Sequence, residues 1–127
     1  MLEKKRILIV DDDAEIRDLL EFDISSSGYF VDTASDGMEG LNKALNNKYD
    51  LILLDVMMPK MNGWQVLKTI REYSQVPVIM LTAKGEEQDE LHGFDLGVDE
   101  YISKPFSPKI LVARVGAVLK RSNQVKS

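Results

Sequence analysis

Apolar and polar positions alternate along this chain in two recurring patterns. Short runs of consecutive apolar residues, such as ILIV at 7–10 and LILL at 51–54, are typical of strands that are buried on both faces. Longer segments carry apolar residues three or four positions apart, which predicts amphipathic helices. In chain order, the predicted strands cover residues 6–10, 29–34, 51–54, 76–81 and 101–102. The predicted helices cover residues 14–26, 36–47, 63–73, 86–96 and 107–121.

This regular alternation predicts an α/β fold with a doubly wound, five-stranded parallel sheet and helices on both faces. Right-handed crossover connections leave few possible topologies, and the order 2-1-3-4-5 is a common doubly wound arrangement that suits five strands. Helical spacing also predicts which side chains face the sheet. In the first three helices these are Ile16, Leu19, Leu20 and Ile24; Met38, Leu41 and Leu45; and Trp64, Val66, Leu67 and Ile70.

Composition narrows the class of protein without identifying a function. The chain has 127 residues, 44% of them hydrophobic and 29% charged, which fits one globular domain. It has no cysteine, so disulfides and thiolate chemistry are excluded, which fits the reducing cytoplasm that we expect for this protein. No apolar run is long enough to span a bilayer, so we expect no association with membranes. The net charge of −5 argues against binding of nucleic acid by this chain alone, because phosphate contacts need clustered Lys and Arg.

Polar side chains are predicted to converge where the strands end. Asp11 and Asp12 follow the first strand, Asp55 the third, Thr82 the fourth and Lys104 the fifth. The carboxyl ends of parallel strands share one edge of the sheet, and ligands bind there. Clustered carboxylates repel one another unless a cation neutralises them, and Mg²⁺ prefers oxygen ligands. The sequence therefore predicts a magnesium site at this edge.

Asp55 allows three interpretations: a helix cap, a metal ligand or a nucleophile. Beside a bound metal it would stay ionised and could attack a phosphorus centre. Lys104 could then neutralise the transferring phosphoryl group, and Thr82 could donate a hydrogen bond to it. Asp13, by contrast, is best interpreted as the N-cap of the first helix.

Four stretches carry a family resemblance: ILIVDDD, LILLDVMMP, VIMLTA and YISKPF. Over nearly its whole length the chain resembles the receiver domain of bacterial two-component response regulators, which have a flavodoxin-like (βα)5 fold. The resemblance implies that Asp55 accepts a phosphoryl group. It also implies that Asp11 and Asp12 are the acid pair that binds Mg²⁺ beside Asp55, with Asp12 as the direct ligand. The backbone carbonyl of Met57 is implied as a further metal ligand.

The remaining site residues are also assigned by this resemblance. Thr82 and Tyr101 would form a switch pair, and Lys104 would bind the phosphoryl oxygens. A cis peptide bond is implied between Lys104 and Pro105.

The resemblance implies a phosphorylation-controlled switch. A sensor histidine kinase would donate the phosphoryl group, and the face formed by residues 86–96, 101–102 and 107–121 would respond by controlling homodimerisation and transcription. The chain would not be an enzyme towards other substrates, since it would catalyse only its own phosphorylation and dephosphorylation.

The C-terminal stretch KPFSPKILVARVGAVLKRS resembles receivers joined to a winged-helix DNA-binding domain, the OmpR/PhoB type. We therefore expect a receiver domain over 1–122, followed by a polar tail over 123–127 that begins a linker to a DNA-binding domain absent from this sequence. DNA would be bound only through that domain.

Two alternatives remain, and a third is excluded. A haloacid-dehalogenase-type phosphatase also has Asp-x-Asp after its first strand, but it would use Asp11 as the nucleophile and needs a nearby Ser or Thr, where Ala14 and Glu15 stand. A relay or docking module without a role in transcription is the second. A calcium-binding loop that starts at Asp11 is excluded, because Ile16 occupies the position that requires glycine.

The expected dimer would differ from that of the apparent subfamily. A basic residue and an acid that normally pair between copies are replaced by Glu90 and Ile110. Arg114 is retained, and we expect it to meet Glu100 or Asp99 of a second copy across a two-fold axis.

Overall fold

The computed structural model describes residues 4–83 and 96–125. Its strands are β1 (Arg6–Val10), β2 (Phe30–Ala34), β3 (Leu51–Asp55), β4 (Val78–Ala83) and β5 (Glu100–Lys104). Its helices are α1 (Ala14–Ser26), α2 (Gly37–Asn46), α3 (Gly63–Arg71) and a C-terminal helix (Pro108–Val125). The helix predicted over 86–96 lies, except for Leu96, outside the described residues.

The strands form one parallel sheet in the order β2-β1-β3-β4-β5, which confirms the predicted topology. All five residues of β3 are buried, because this strand is central and helices cover both of its faces. The carboxyl ends of β1, β3, β4 and β5 therefore point to one edge of the sheet, where the candidate site lies.

The sheet separates two hydrophobic cores. The first core lies under α1 and the C-terminal helix, and its strand residues are Ile7, Ile9, Leu51, Leu53, Ile79, Leu81 and Ile102. The second core lies under α2 and α3, and its strand residues are Leu8, Val10, Ala34, Ile52, Leu54, Val78 and Met80. Successive residues of a strand thus belong to opposite cores, as the pleat of a strand requires.

The predicted N-cap of α1 is confirmed. The Oδ1 atom of Asp13 accepts hydrogen bonds from the backbone N–H groups of Glu15 and Ile16, at 2.9 and 3.3 Å. Gly28 follows this helix with φ = +99°, a conformation that favours glycine. Asp13 therefore has a local role that differs from those of its two neighbours, Asp11 and Asp12.

The C-terminal helix also begins as predicted, with Ser107 as its cap and Pro108 as its first residue. It continues to Val125, four residues beyond the predicted end at 121. The tail predicted over 123–127 is therefore helical up to Val125, and the domain limit at residue 122 stays a prediction. No helix within the described ranges is both long and apolar enough to cross a lipid bilayer.

Leu19 of α1 was predicted to face the sheet, and this is wrong: it is 47% exposed. The buried residues of α1 are Leu20 and Ile24, with Ile16 partly buried against the same core. Because these three lie four residues apart, they form one narrow stripe, and Leu19 falls beside it.

The predicted inward positions of Met38 and Leu45 in α2 are also wrong, since these side chains are 58% and 45% exposed. The buried face of α2 instead contains Gly37 and Gly40. A Cβ atom added at Gly37 would lie 2.5 Å from the carbonyl oxygen of Met61. The helix thus approaches its neighbours along the two glycines, which turns the larger side chains outward.

Arg71 links three segments of the chain by hydrogen bonds: the end of α3, residues 74–76 and residues 96–97. Arg71, at the end of α3, donates from Nη1 to the carbonyls of Ser74 and Val76, at 3.2 and 2.8 Å. Its Nε and Nη2 atoms donate to the carbonyls of Leu96 and Gly97, at 2.7 and 3.1 Å. The approaches to β4 and β5 are therefore held against the end of α3 by a single guanidinium group.

Candidate functional site

Three charged side chains meet at the carboxyl ends of β1, β3 and β5. The Nζ atom of Lys104 lies 3.2 Å from Oδ2 of Asp11 and 3.3 Å from Oδ1 of Asp55. Asp11 is 0% exposed and Asp55 3% exposed. Lys104 therefore bridges two buried carboxylates that come from segments far apart in the sequence.

The strand pleat explains why these three residues share one face of the sheet. Each lies two positions after a strand residue of the first core; those residues are Ile9, Leu53 and Ile102. Because side chains two positions apart point the same way, the alternation that builds the core also aligns the charges. Lys104 was expected just beyond its strand, but it is the last residue of β5.

Asp11 is held at each of its polar atoms. Its N–H donates to the carbonyl of Ala34 at 3.2 Å, and its carbonyl accepts from Nη1 of Arg17 at 2.8 Å. Its Oδ1 accepts from the N–H of Asp13 at 2.9 Å, and its Oδ2 contacts Lys104. A buried carboxylate engaged in this way is poorly placed for attack, which disfavours the phosphatase alternative. Sequence reasoning did not single out Arg17, and its position six residues after Asp11 gives no recognised signal.

Asp55 has one engaged oxygen and one free oxygen. Its Oδ1 accepts from the N–H of Met57 at 3.2 Å and contacts Lys104. No donor among the described residues reaches Oδ2. Burial, with the negative charge of Asp11, raises the pKa of Asp55 to about 7, although Lys104 and the Met57 N–H oppose this. Burial also disfavours the charged form of Lys104, but Asp11 and Asp55 outweigh it and raise the pKa of its ammonium group.

The acidic residues fit a divalent cation. Asp11, Asp12 and Asp55 each offer a carboxylate oxygen, and these oxygens lie within 4.8 Å of one another. Carboxylate oxygens are the ligands that Mg²⁺ prefers. Burial and the negative charge of Asp11 raise the pKa of Asp55 despite Lys104, so a further cation beside it would favour its ionised form. Asp12 is exposed, and Met57 is 61% exposed directly beside Asp55. These positions are compatible with the implied metal ligands.

The implied switch pair lies on the other face of the sheet. Thr82 is 2% exposed and lies two residues after Met80, a member of the second core. It was expected just after the fourth strand but is a residue of β4 itself. Tyr101 packs against the same core, and its ring centroid lies 6.4 Å from that of Trp64. The cis peptide bond between Lys104 and Pro105 is present.

The backbone after Asp55 is fixed by a close approach to the first residue of α3. Gly63 donates its N–H to the carbonyl of Val56 at 2.9 Å. A Cβ atom added at Gly63 would lie 2.4 Å from the carbonyl oxygen of Asp55. Asn62 and Gln65 form a capping box that fixes the start of the helix. Sequence reasoning missed this close approach at Gly63. The signal for it was a glycine directly after the N-cap residue Asn62, in the loop that follows Asp55.

The chain matches a known protein family and several curated proteins. Residues 7–116 match the response regulator receiver domain family. The chain is 53% identical over 121 residues to the probable transcriptional regulator ycf27 of Guillardia theta, and this match covers 95% of this chain and 48% of that protein. It is 50% identical over 119 residues to the transcriptional regulatory protein ResD of Bacillus subtilis (strain 168), covering 94% and 50%. The chain thus spans about half the length of the curated relatives that it matches.

A solved structure is also similar. The response regulator receiver domain protein (CheY-like) from Methanospirillum hungatei JF-1 superposes with a TM-score of 0.92 at 32% identity, covering 96% of this chain and 98% of that one. The names of the relatives, which are transcriptional regulators, are consistent with the OmpR/PhoB branch predicted from the C-terminal stretch. Sequence and fold together show that this chain belongs to the response regulator receiver domain family.

Proposed function

We propose that this chain is a cytoplasmic phosphorylation-controlled switch that takes a phosphoryl group from a sensor histidine kinase onto Asp55. The main support for this proposal is the pair of contacts that Lys104 makes with Asp11 and Asp55. They place a cation between two buried carboxylates at the ligand-binding edge of the sheet. Asp11 and Asp12 hold Mg²⁺ with Asp55, and the Met57 carbonyl adds a ligand. The chain turns over no external substrate beyond its own phosphorylation and dephosphorylation.

The contacts of Asp55 support its role as acceptor. Its Oδ1 is fixed by Met57 and Lys104, so Oδ2 attacks phosphorus and forms the new O–P bond. The P–N bond to the histidine of the kinase breaks, and its electron pair leaves with the imidazole. Lys104 neutralises charge on the incoming group, and the hydroxyl of Thr82 donates to it. Bound Mg²⁺ supplies further positive charge to the carboxylates and the phosphoryl oxygens.

The response passes to the other face of the sheet through Thr82 and Tyr101. A phosphoryl group adds negative charge and strong acceptor oxygens at Asp55, which draws the Thr82 hydroxyl towards it. Tyr101, on the same face as Thr82, then changes its packing, and the face around β5 and the C-terminal helix alters its partners. Control of transcription requires a DNA-binding domain beyond this sequence.

Phosphorylation of the wild-type chain should depend on Mg²⁺. We expect incubation with a small phosphodonor, such as acetyl phosphate, and Mg²⁺ to add the mass of one phosphoryl group, and a chelator to prevent the addition. Asp12→Asn should weaken Mg²⁺ binding strongly, because it removes a charged ligand. Intact-mass spectrometry and calorimetric Mg²⁺ titration measure the two effects.

Asp13→Asn is the matched control, because Asn caps a helix as well as Asp does and the substitution removes the same charge one residue away. It should keep most of the Mg²⁺ affinity and should be phosphorylated. Equal affinity of the wild type and Asp12→Asn for Mg²⁺ would refute the ligand assignment, and a mass gain in the chelator would refute metal dependence.

The proposed homodimer forms through β5, the C-terminal helix and the predicted helix over 86–96. Ile110 on this face is 54% exposed, and Arg114 lies beside it. In the structure Nη1 of Arg114 lies 2.9 Å from Oε2 of Glu100 in the same chain. The expected contact with a second copy therefore requires this ion pair to open or to be shared. Glu90, the other position at which we expect a departure from the subfamily, lies outside the described residues.

Arg114→Glu should weaken the dimer of the chain treated with beryllofluoride, a phosphoryl mimic. The substitution places two acids, at 114 and 100, where the wild type has an ion pair, and it adds repulsion across a two-fold axis. Exposed ion pairs contribute about 0–1 kcal/mol each, so we expect a moderate shift in sedimentation equilibrium. Lys48→Glu, the same charge reversal in the loop before β3, is the control. A monomeric wild type, or equal weakening by the control, would remove this interface.

A further inference from the structure

The peptide group between Asp11 and Asp12 is anchored from α1. Asp11 lies beyond the last ladder position of β1, which pairs Val10 with Ala34, so no strand is left to satisfy its carbonyl. Asp11 is fully buried, and a buried carbonyl without a donor is destabilising. The half-buried Arg17 fills this requirement with Nη1 at 2.8 Å.

The side chain of Asp12 has no anchor of its own. It is exposed, and no hydrogen bond or ion pair within the described part of the chain holds its carboxylate. Even so, one of its oxygens lies within 4.8 Å of oxygens of Asp11 and Asp55. The backbone sets the direction of the Cα–Cβ bond of Asp12, and the peptide that leads into this residue is the one that Arg17 holds.

Arg17 does not act by pairing with the acids around it. Asp11, Asp12 and Asp13 all stand close to it in the sequence, yet none of the ion pairs among the described residues involves Arg17. Its side-chain hydrogen bond goes instead to a main-chain oxygen, the carbonyl of Asp11. A planar guanidinium fixes the direction of such a bond better than an ammonium group does.

We propose that Arg17 is a positioning residue for divalent-cation binding, which acts by fixing the peptide plane between Asp11 and Asp12 and thereby the direction of the Asp12 carboxylate. It touches neither the cation nor the phosphoryl group. The inference rests on the proposed Mg²⁺ site. Loss of such a supporting contact lowers metal affinity by about tenfold or more.

Calorimetric Mg²⁺ titration of the 127-residue chain tests this proposal with two variants. Arg17→Gln removes the charge and most of the donors, and Arg17→Lys keeps the charge but removes the planar fork. Positioning predicts weaker binding in both, about tenfold in Arg17→Gln and less in Arg17→Lys. A charge effect predicts the opposite for Arg17→Gln, since removal of a nearby positive charge tightens cation binding. A role in stability alone predicts wild-type affinity in both variants.

Lys43→Gln is the matched control. Lys43 of α2 also donates from a helix to a strand carbonyl, that of Thr33 at 2.6 Å, but Thr33 contributes no acid to the site. This variant should keep wild-type Mg²⁺ affinity, whatever stability it loses. In ¹H–¹⁵N spectra without metal, the amide signals of Asp12 and Asp13 should shift in the Arg17 variants and stay in place in Lys43→Gln.

Each result has one meaning. Wild-type or tighter binding in Arg17→Gln overturns the proposal. If that variant does not fold, Arg17→Lys decides alone, and wild-type affinity there overturns it equally. A wild-type chain that binds no Mg²⁺ refutes the proposed metal site instead, so the two failures can be told apart.

Discussion

Asp55→Asn is expected to abolish phosphorylation and, in the absence of metal, to make the folded chain more stable. The amide cannot form the O–P bond, so no mass should be added by a small phosphodonor with Mg²⁺. The gain in stability follows from the raised pKa of Asp55. The unfolded chain loses this proton near the ordinary value of 3.8, whereas the folded chain keeps it until about pH 7, so ionised Asp55 opposes folding.

The destabilisation of the folded chain by ionised Asp55 depends on pH. It is absent below about pH 4, grows between about pH 4 and 7, and is complete above pH 7. The full shift corresponds to at most about 4 kcal/mol, and the weaker contact of the amide with Lys104 cancels part of the gain. In a chelator, urea unfolding should therefore show Asp55→Asn to be more stable than the wild type at about pH 8 and nearly equal to it at about pH 4.

Asp36→Asn is the control for both measurements. Asp36 caps α2 through the N–H of Glu39, and Asn caps a helix equally well. This variant should be phosphorylated like the wild type and should show no comparable gain at high pH. Labelling of Asp55→Asn to the wild-type level would refute the acceptor assignment, and a lack of stabilisation at high pH would refute the electrostatic account.

Gly63→Ala is the second substitution with a large expected effect. The added Cβ would lie 2.4 Å from the backbone oxygen of Asp55 and 2.9 Å from Cα of Val56. Both atoms are main-chain atoms, so the strand end or the helix must move. Forced overpacking of this kind costs about 1–3 kcal/mol, and displacement of the acceptor should slow phosphorylation by on the order of a hundredfold.

Gly116→Ala separates this steric effect from the general effect of replacing glycine. Gly116 lies inside the C-terminal helix, and an added Cβ there would meet only the Tyr29 hydroxyl, at 3.8 Å. Alanine favours the helix by about 0.5–1 kcal/mol at such a position, so this variant should be slightly more stable and normally phosphorylated. Phosphorylation kinetics and unfolding curves compare the two variants. A Gly63→Ala chain as active and stable as the wild type would contradict the assigned contact.

The strands and their order were predictable chiefly because β1, β3 and β4 are apolar runs buried between two layers of helices, whereas the edge strands β2 and β5 are only partly buried. The strand ends were less predictable. Asp55, Thr82 and Lys104 all lie inside strands, since a parallel ladder continues as long as the backbone pairs, whatever the polarity of the side chain. Apolar content alone therefore ends a strand too early at the edge where function lies.

The helix faces show a second limit. Met38 and Leu45 were predicted inward because they are the large apolar residues of α2, yet close packing along Gly37 and Gly40 decides the orientation. The two glycines, three residues apart in the sequence, were the signal that this face of α2 packs closely against its neighbours. For Leu19, the four-residue spacing of the other apolar positions was the better guide.

In the site, topology was enough to predict that acids and a lysine would converge, but contacts made across the fold were not predictable. The capture of the Asp11 carbonyl by Arg17 and the closeness of Gly63 to Asp55 both depend on how a helix is set against a strand end. The spacing of residues in the sequence does not determine how close a helix comes to a strand end.

The guanidinium of Arg71 has a consequence for recombining this domain with its relatives. Its four hydrogen bonds all end on main-chain carbonyls, at residues 74, 76, 96 and 97, so these bonds place no demand on the side chains there, although Val76 and Leu96 also pack against the second core. The path of the backbone is not free to differ, because one planar group must reach both loops at once. A chimera joined between α3 and β5 should thus tolerate exchange of residue types where apolar residues are kept at 76, 96 and 98. It should not tolerate insertion or deletion within 72–77 or at 96–99, and position 71 must remain arginine.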